Sequence, residues 1–213
     1  MHDHFTSADS IIVLDFETTG LSPNMGDRAI EIGAVRIVKG VITDSFQELM
    51  NPGRKVDPFI EQYTGISNHM LENAAPCSEV MLRFSEFIED SNLLAHNASF
   101  DKRFLDAEFH LISKDYYGSF ACSLLTARRI YQNAPNHKLS TLVDYANIDS
   151  TGNFHRALFD AEMTAKLWLT MLEKIQIDYQ LESIPFALIQ KLSKVSKHSI
   201  GTFITKWKEK YSI

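Results

Sequence analysis

The stretch Ile11-Ile-Val-Leu-Asp-Phe-Glu-Thr-Thr-Gly-Leu21 stays apolar until Asp15 and Glu17 interrupt it. Such a run predicts a central strand covered on both faces. A strand sends residues two apart to one face, so Asp15 and Glu17 project side by side from its carboxyl end, where open α/β sheets collect ligands. Two like charges held there repel, and burying either one unpaired costs several kcal/mol. A hard divalent cation such as Mg²⁺ or Mn²⁺ takes oxygen ligands and would offset both penalties. The alternative is a strand end whose acids are simply hydrated.

Two more strand candidates follow, Ala29 to Val38 and Val41 to Met50, joined through Lys39-Gly40 at a spacing that predicts an antiparallel hairpin. Farther along, the period changes. Val80, Phe84, Phe87 and Ile88 fall at helical spacing, and Leu93-Leu94-Ala95 is a short buried strand feeding a helix that begins near Ser99. Leu139 to Ala146 and Ala157 to about Ile175 complete the body as helices. The expected class is α/β, a mixed sheet covered by helices. Asp101 and Asp160 then lie in the first turns of two of these helices, reaching inward from rigid supports, and His155 lies in the loop just ahead of Asp160.

Length and composition narrow the setting. At 213 residues, with 45% hydrophobic and 23% charged residues, the chain can bury one good core as a soluble globular protein. No apolar run approaches the roughly 18–20 residues of a membrane span, and the polar, acidic start is unlike a secretory leader, so a cytoplasmic location is expected. Cys77 and Cys122 lack metal spacing and predict buried free thiols. Residues 1–9, which include His2 and His4, predict a flexible end rather than a metal pair. A net charge of −6 argues against a generic, highly basic nucleic-acid binder.

Taken in order, Asp15-Phe-Glu-Thr-Thr-Gly-Leu21, Asn51-Pro52, Thr64-Gly65-Ile66, His96-Asn97-Ala98, Phe100-Asp101 and the His155 to Asp160 spacing followed by Ala161 resemble the DEDDh (DnaQ-like) exonucleases. That family includes the proofreading subunit of bacterial DNA polymerase III, ribonuclease T and exonuclease X. The resemblance covers residues 10–176 and implies a ribonuclease H-like sheet carrying a two-metal 3′–5′ exonuclease that releases mononucleotides from single-stranded DNA ends in proofreading or repair. Trimming of RNA 3′ ends, as in ribonuclease T, is the second expectation, and a non-catalytic nucleic-acid-binding subunit the third. By the same resemblance Asp15, Glu17 and Asp160 hold one Mg²⁺ or Mn²⁺, while Asp15 and Asp101 serve the other. His155 becomes the general base, in keeping with an imidazole's titration near neutral pH. Thr18, Thr19, Gly20 and Leu21 would receive the terminal nucleotide through backbone N–H groups and an apolar wedge, unless they form an ordinary turn. Tyr63, Thr64, His96, Asn97 and Phe100 would contact sugar or base, although Phe100 suits a core equally and Thr64 stands where some polymerase-associated members carry histidine.

Beyond residue 176 the motifs stop. Ile184, Leu188, Leu192 and Val195 form one helical stripe, and Ile200, Phe203, Ile204, Trp207 and Tyr211 another, with Ser183 and Ser199 placed as caps. Residues 177–213 therefore predict a C-terminal helical hairpin. Residues 185–213 hold six lysines against one acid, a formal +5, which leaves −11 on residues 1–184 out of the total of −6. Such a hairpin either folds back on the body with solvated lysines or is offered to nucleic acid or to a polymerase or repair complex. Gln180-Leu-Glu-Ser-Ile-Pro-Phe186 also comes close to the glutamine-to-aromatic spacing of sliding-clamp peptides. The oligomeric state is not set by any of these features.

Overall fold

Residues 6–152 and 154–211 are described by a computed structural model. The elements in chain order are β1 (Ile11–Thr18), β2 (Ala29–Val38), β3 (Val41–Asn51), α1 (Pro58–Thr64), α2 (Asn68–Glu72), β4 (Ala75–Pro76), α3 (Cys77–Ile88), β5 (Leu93–Ala95) and α4 (Ser99–Leu111). There follow β6 (Phe120–Cys122), α5 (Ser123–Ile130), α6 (Leu139–Tyr145), α7 (Ala157–Tyr179), α8 (Phe186–Leu192) and α9 (Ile200–Tyr211). The strands form one mixed sheet in the order β4-β3-β2-β1-β5-β6. β1, β2 and β3 are antiparallel neighbours, and β5 and β6 run parallel to β1.

Alternation along β1 sorts the two halves of the core. Ile12, Leu14 and Phe16 face α3 and α4, meeting Val80, Phe84 and Phe104. Ile11 and Val13 face α7, meeting Trp168, Met171 and Ile175 together with Val35 and Ile37 of β2. The predicted hairpin and helices are therefore present, with α7 running four residues beyond the expected end near Ile175. Among the described residues no helix is long and apolar enough to cross a membrane.

The two ends of the chain close on each other. Ser7 bridges to Pro185, the Ala8 N–H donates to the Ile184 carbonyl at 2.8 Å, and the Trp168 indole donates to the Ala8 carbonyl at 2.8 Å. Ser7 and Ala8, expected in a flexible end, thus pair with the segment ahead of α8, and Trp168 shelters Ala8. His2 and His4 lie outside the described residues. Leu181, Ile184, Phe186, Leu188, Ile200, Ile204 and Trp207 belong to the same apolar cluster as Trp168 and Ile175, so residues after 176 continue the core of the body. The proposed caps differ: α8 starts behind Pro185 rather than Ser183, and Ser199 lies in a short 3₁₀ turn, Lys197–Ser199, leading into α9.

Candidate active site

The β1–β2 register builds the site one pair at a time. On the face toward α7, Ile11 stands opposite Ile37 and Val13 opposite Val35; next come Asp15 opposite Gly33 and Glu17 opposite Glu31. Apolar pairs give way to carboxylates within one strand because the pattern that fills the core ends where α7 begins. Gly33 has no room for a side chain: a Cβ there would lie 2.1 Å from the Leu158 nitrogen. The first turn of α7 therefore rests directly on β2 and carries Asp160 down to Asp15 and Glu17.

Asp101 arrives from the other side. β5 pairs with β1 only at Ile12 and Val13, and the chain then turns into α4, leaving the later N–H groups of β1 without a strand partner there. Asp101, in the first turn of α4 and 2% exposed, accepts the Phe16 N–H at 3.1 Å. Asp160 accepts the His155 N–H through Oδ2 at 2.9 Å, while its buried Oδ1 has no hydrogen-bond partner among the described residues.

Crowding these acids raises their pKa values. Burial, followed by the charges of Asp101, Asp160, Glu17 and Glu31, lifts Asp15 well above the ordinary carboxylate range. Burial and the charges of Asp160, Glu31 and Asp101 push Glu17 up to about 8, with Arg156 opposing. Burial takes Asp101 to about 7 against the stabilising Phe16 N–H, and takes Asp160 to about 6 against the His155 N–H. A cluster in which every member resists ionisation, with one buried oxygen left over, has the donor set of a divalent-cation site.

His155 sits at the rim. It is exposed, its backbone is left-handed at φ 69°, and its ring lies 4.2 Å from that of Tyr63. For a residue other than glycine this backbone costs roughly 1–2 kcal/mol. Ligand atoms of Glu17, His155 and Asp160 lie within 4.8 Å of one another, so the imidazole reaches the same space as the carboxylates. A groove of about 1010 Å³ opens beside them, lined by Tyr63, Asn97, Arg128, Lys138, His155 and Asp160 among others.

The expected substrate contacts divide. Leu21, 78% exposed, stands free as a wedge would, and Tyr63 and Asn97 face the groove. The Thr18 hydroxyl donates to the Gly20 carbonyl at 2.6 Å, and that of Thr19 donates to Asp27 at 3.3 Å. A Cβ on Gly20 would meet the Asp27 carboxylate at 2.5 Å, so this glycine makes room for its own loop. Thr64 is buried, donating to the Ile60 carbonyl at 2.8 Å and accepting the Ile66 N–H at 3.1 Å; its hydroxyl closes α1 and is not offered to the groove. His96 is engaged at both nitrogens. Its Nε2 lies 3.0 Å from the His137 carbonyl, which can only accept, so that nitrogen carries the proton and Nδ1 accepts from Ser123 Oγ at 2.8 Å. Burial holds its pKa down at about 4, and it braces the groove wall as a neutral strut. Phe100 packs on Phe104 at 5.1 Å between centroids, on the core side of α4.

A profile of a family described as exonuclease matches residues 12–168. The chain belongs to the exonuclease family. It is 38% identical over 165 residues to a PolC-type DNA polymerase III of Caldanaerobacter subterraneus subsp. tengcongensis, covering 78% of this chain and 12% of that protein. It is 35% identical over 194 residues to the 3′–5′ exonuclease DinG of Bacillus subtilis, covering 89% and 20% respectively. The chain thus spans a small part of these relatives' length. Among solved structures, exonuclease X in complex with 5′ overhanging duplex DNA matches with a TM-score of 0.65 at 23% identity, over 84% of this chain and 98% of that one. The nuclease domain of 3′hExo, described as a DEDDh family member bound to rAMP, matches with a TM-score of 0.66 at 22% identity, over 78% and 92%. Both show the same ribonuclease H-like fold.

Three residues of this family member escaped the sequence reading. Glu31, Gly33 and Arg156 bind α7 to β2: Glu31 accepts from the Arg156 guanidinium at 2.8 and 3.2 Å and from the Ala157 N–H at 3.1 Å. The available signal was an acid and a glycine two apart in an otherwise apolar strand, Ala29-Ile-Glu-Ile-Gly-Ala-Val35.

Proposed function

We propose that this chain is a metal-dependent 3′–5′ exonuclease that releases mononucleotides from single-stranded DNA. The convergence of Asp15, Glu17, Asp101 and Asp160 from three separate elements beside His155 carries this reading. Asp15, Glu17 and Asp160 would hold one Mg²⁺ or Mn²⁺, and Asp15 with Asp101 the second; the unpartnered Asp160 Oδ1 suits a ligand role. Such cations, when bound, supply charge stabilisation to the attacking and leaving oxygens of an in-line displacement.

The chain's own residues then have separable tasks. His155 accepts a proton from the water that attacks the terminal phosphodiester; the P–O3′ bond breaks, the mononucleotide leaves with a 5′-phosphate, and the departing O3′ takes a proton from solvent, so the shortened strand keeps a 3′ hydroxyl. Tyr63 and Leu21 flank the terminal base, and Asn97 faces its sugar across the groove. Likeness to PolC-type polymerases and to DinG favours DNA and a polymerase or repair complex as the setting. Likeness to the 3′hExo domain bound to rAMP keeps RNA ends as the second substrate class.

Resolving the products of 5′-labelled single-stranded DNA and RNA with Mg²⁺, with Mn²⁺ and with excess chelator tests this reading. A ladder losing one nucleotide at a time from the 3′ end, faster on DNA and absent in chelator, is expected. Internal cleavage, or full activity in chelator, would overturn it.

A further inference from the structure

His155 is an exposed residue in a left-handed backbone, a conformation that persists only where its surroundings over-determine it. Its N–H is held by Asp160 Oδ2, five residues ahead. Immediately after it, residues 156 and 157 are held by a single carboxylate on another element. Glu31 is 0% exposed, and its two oxygens take Arg156 Nη2 at 2.8 Å, Arg156 Nε at 3.2 Å, the Ala157 N–H at 3.1 Å and Gln47 Nε2 at 2.9 Å.

α7 has no side-chain cap of its own, since its N-cap residue is Arg156. Glu31 fills that vacancy from β2: it takes the first free N–H and places negative charge at the positive end of the helix. The fork from Arg156 fixes the direction of the chain as it leaves His155. No lysine could reproduce it, because a point charge does not define a plane. Glu31 lies directly across from Glu17, so the element that anchors the loop also carries the strand register of a metal-ligand candidate.

We propose that Glu31 and Arg156 are a positioning pair for His155. They fix the strained step between loop and helix that aims the imidazole at Glu17 and Asp160, and neither touches substrate. The inference rests on the assignment of His155 as the base. If the pair merely sealed the end of α7, its loss would act through Asp160, weakening metal binding and stability together whether or not His155 were present.

The test is a double-mutant cycle on the full chain, with 5′-labelled single-stranded DNA and saturating Mn²⁺. At saturating Mn²⁺, Arg156→Gln is expected to lower kcat by about 10–100-fold, the usual range for residues that orient a site residue, with KM nearly unchanged. Arg156→Lys should recover little of this. In a His155→Ala background, Arg156→Gln should cost no more than about twofold further, because its partner in function is already gone. Losses at saturating Mn²⁺ that multiply in the double variant would overturn the positioning role while leaving His155 as the base. A His155→Ala variant with undiminished kcat would instead remove both assignments. Glu31→Gln should match Arg156→Gln in kcat; should either fail to fold because buried Glu31 loses its partner, Arg156→Lys keeps the charge beside Glu31 and removes only the fork, and its kcat with and without His155 decides the same question.

Discussion

Glu17 and Glu31 stand directly opposite each other on β1 and β2, and their carboxylates have opposite fates. Glu31 is answered by Arg156, Gln47 and a helix N–H. Glu17 is pushed up to about 8 by burial and by neighbouring acids that include Glu31 itself. One acid of the pair is neutralised by its partners, the other is not. A site of this kind is bought at the expense of metal-free stability.

That cost has a sign. A carboxyl whose folded pKa lies above its unfolded value of about 4 contributes stability that is fully present below pH 4 and lost as pH rises through the folded value. For Asp160, Asp101 and Glu17 the loss extends through about 6, 7 and 8. Asp15→Asn removes the charge at the centre of the cluster. In the absence of metal it should therefore raise the melting temperature, more at pH 8 than at pH 5, while activity falls by orders of magnitude. A melting temperature that drops equally at both pH values would show that Asp15 is not opposed by its neighbours.

Metal binding should release protons for the same reason, since a carboxyl must ionise to become a ligand. Titrating Mn²⁺ into the protein at pH 7 in two buffers of different ionisation enthalpy should reveal proton release, and apparent affinity should climb between pH 6 and pH 8, the range set by Asp160, Asp101 and Glu17. Identical heats in both buffers would mean the ligands are already ionised.

Gly33→Ala probes the contact on which Asp160 depends. Its Cβ would lie 2.1 Å from the Leu158 nitrogen and 2.2 Å from the Ala157 carbonyl carbon, both backbone atoms that no rotamer change can move aside. α7 must lift from β2, at a cost of about 1–3 kcal/mol or more. Melting temperature and kcat should fall together. An unchanged melting temperature would show that the two elements are not in contact at this point.

What the sequence disclosed, and what it withheld, follows from the range of the interactions. β1, the β2–β3 hairpin, α4 and α7 are long or strongly periodic, and Asp15, Glu17, Asp101 and Asp160 could be placed on them from spacing and family resemblance. α1, α2 and α5 are short, from five to eight residues, and are stabilised by tertiary packing rather than by a pattern of their own. The hydrogen bonds that engage Thr64 and His96, to Ile60 and Ile66 in one case and to Ser123 and His137 in the other, arise only once the chain has folded. The Glu31–Arg156 clamp joins residues 125 apart in sequence, which no local window detects.

The C-terminal helices give the last prediction. α8 and α9 bring Phe186, Leu188, Ile204 and Trp207 against Trp168 and Ile175, and Lys208 donates to the Tyr179 carbonyl at 2.9 Å, closing the end of α7. Lys208 thus serves as a capping group, and Lys191, with its Nζ 4.9 Å from the Trp207 ring centroid, as a packing one. Trp207→Ala should cost about 3–5 kcal/mol, as removal of a large buried aromatic does. Cutting the chain after Ser183 should expose the apolar side of α7 and cause aggregation. Exposed Lys206 and Lys210 offer the contrast. If they do not meet phosphate, Lys206→Gln with Lys210→Gln should leave both the melting temperature and the salt dependence of oligonucleotide binding unchanged, because each lost phosphate contact would reduce the slope by nearly one. A flattened slope in that double variant would make α9 a nucleic-acid surface, and an unaltered melting temperature in Trp207→Ala would remove its packing role.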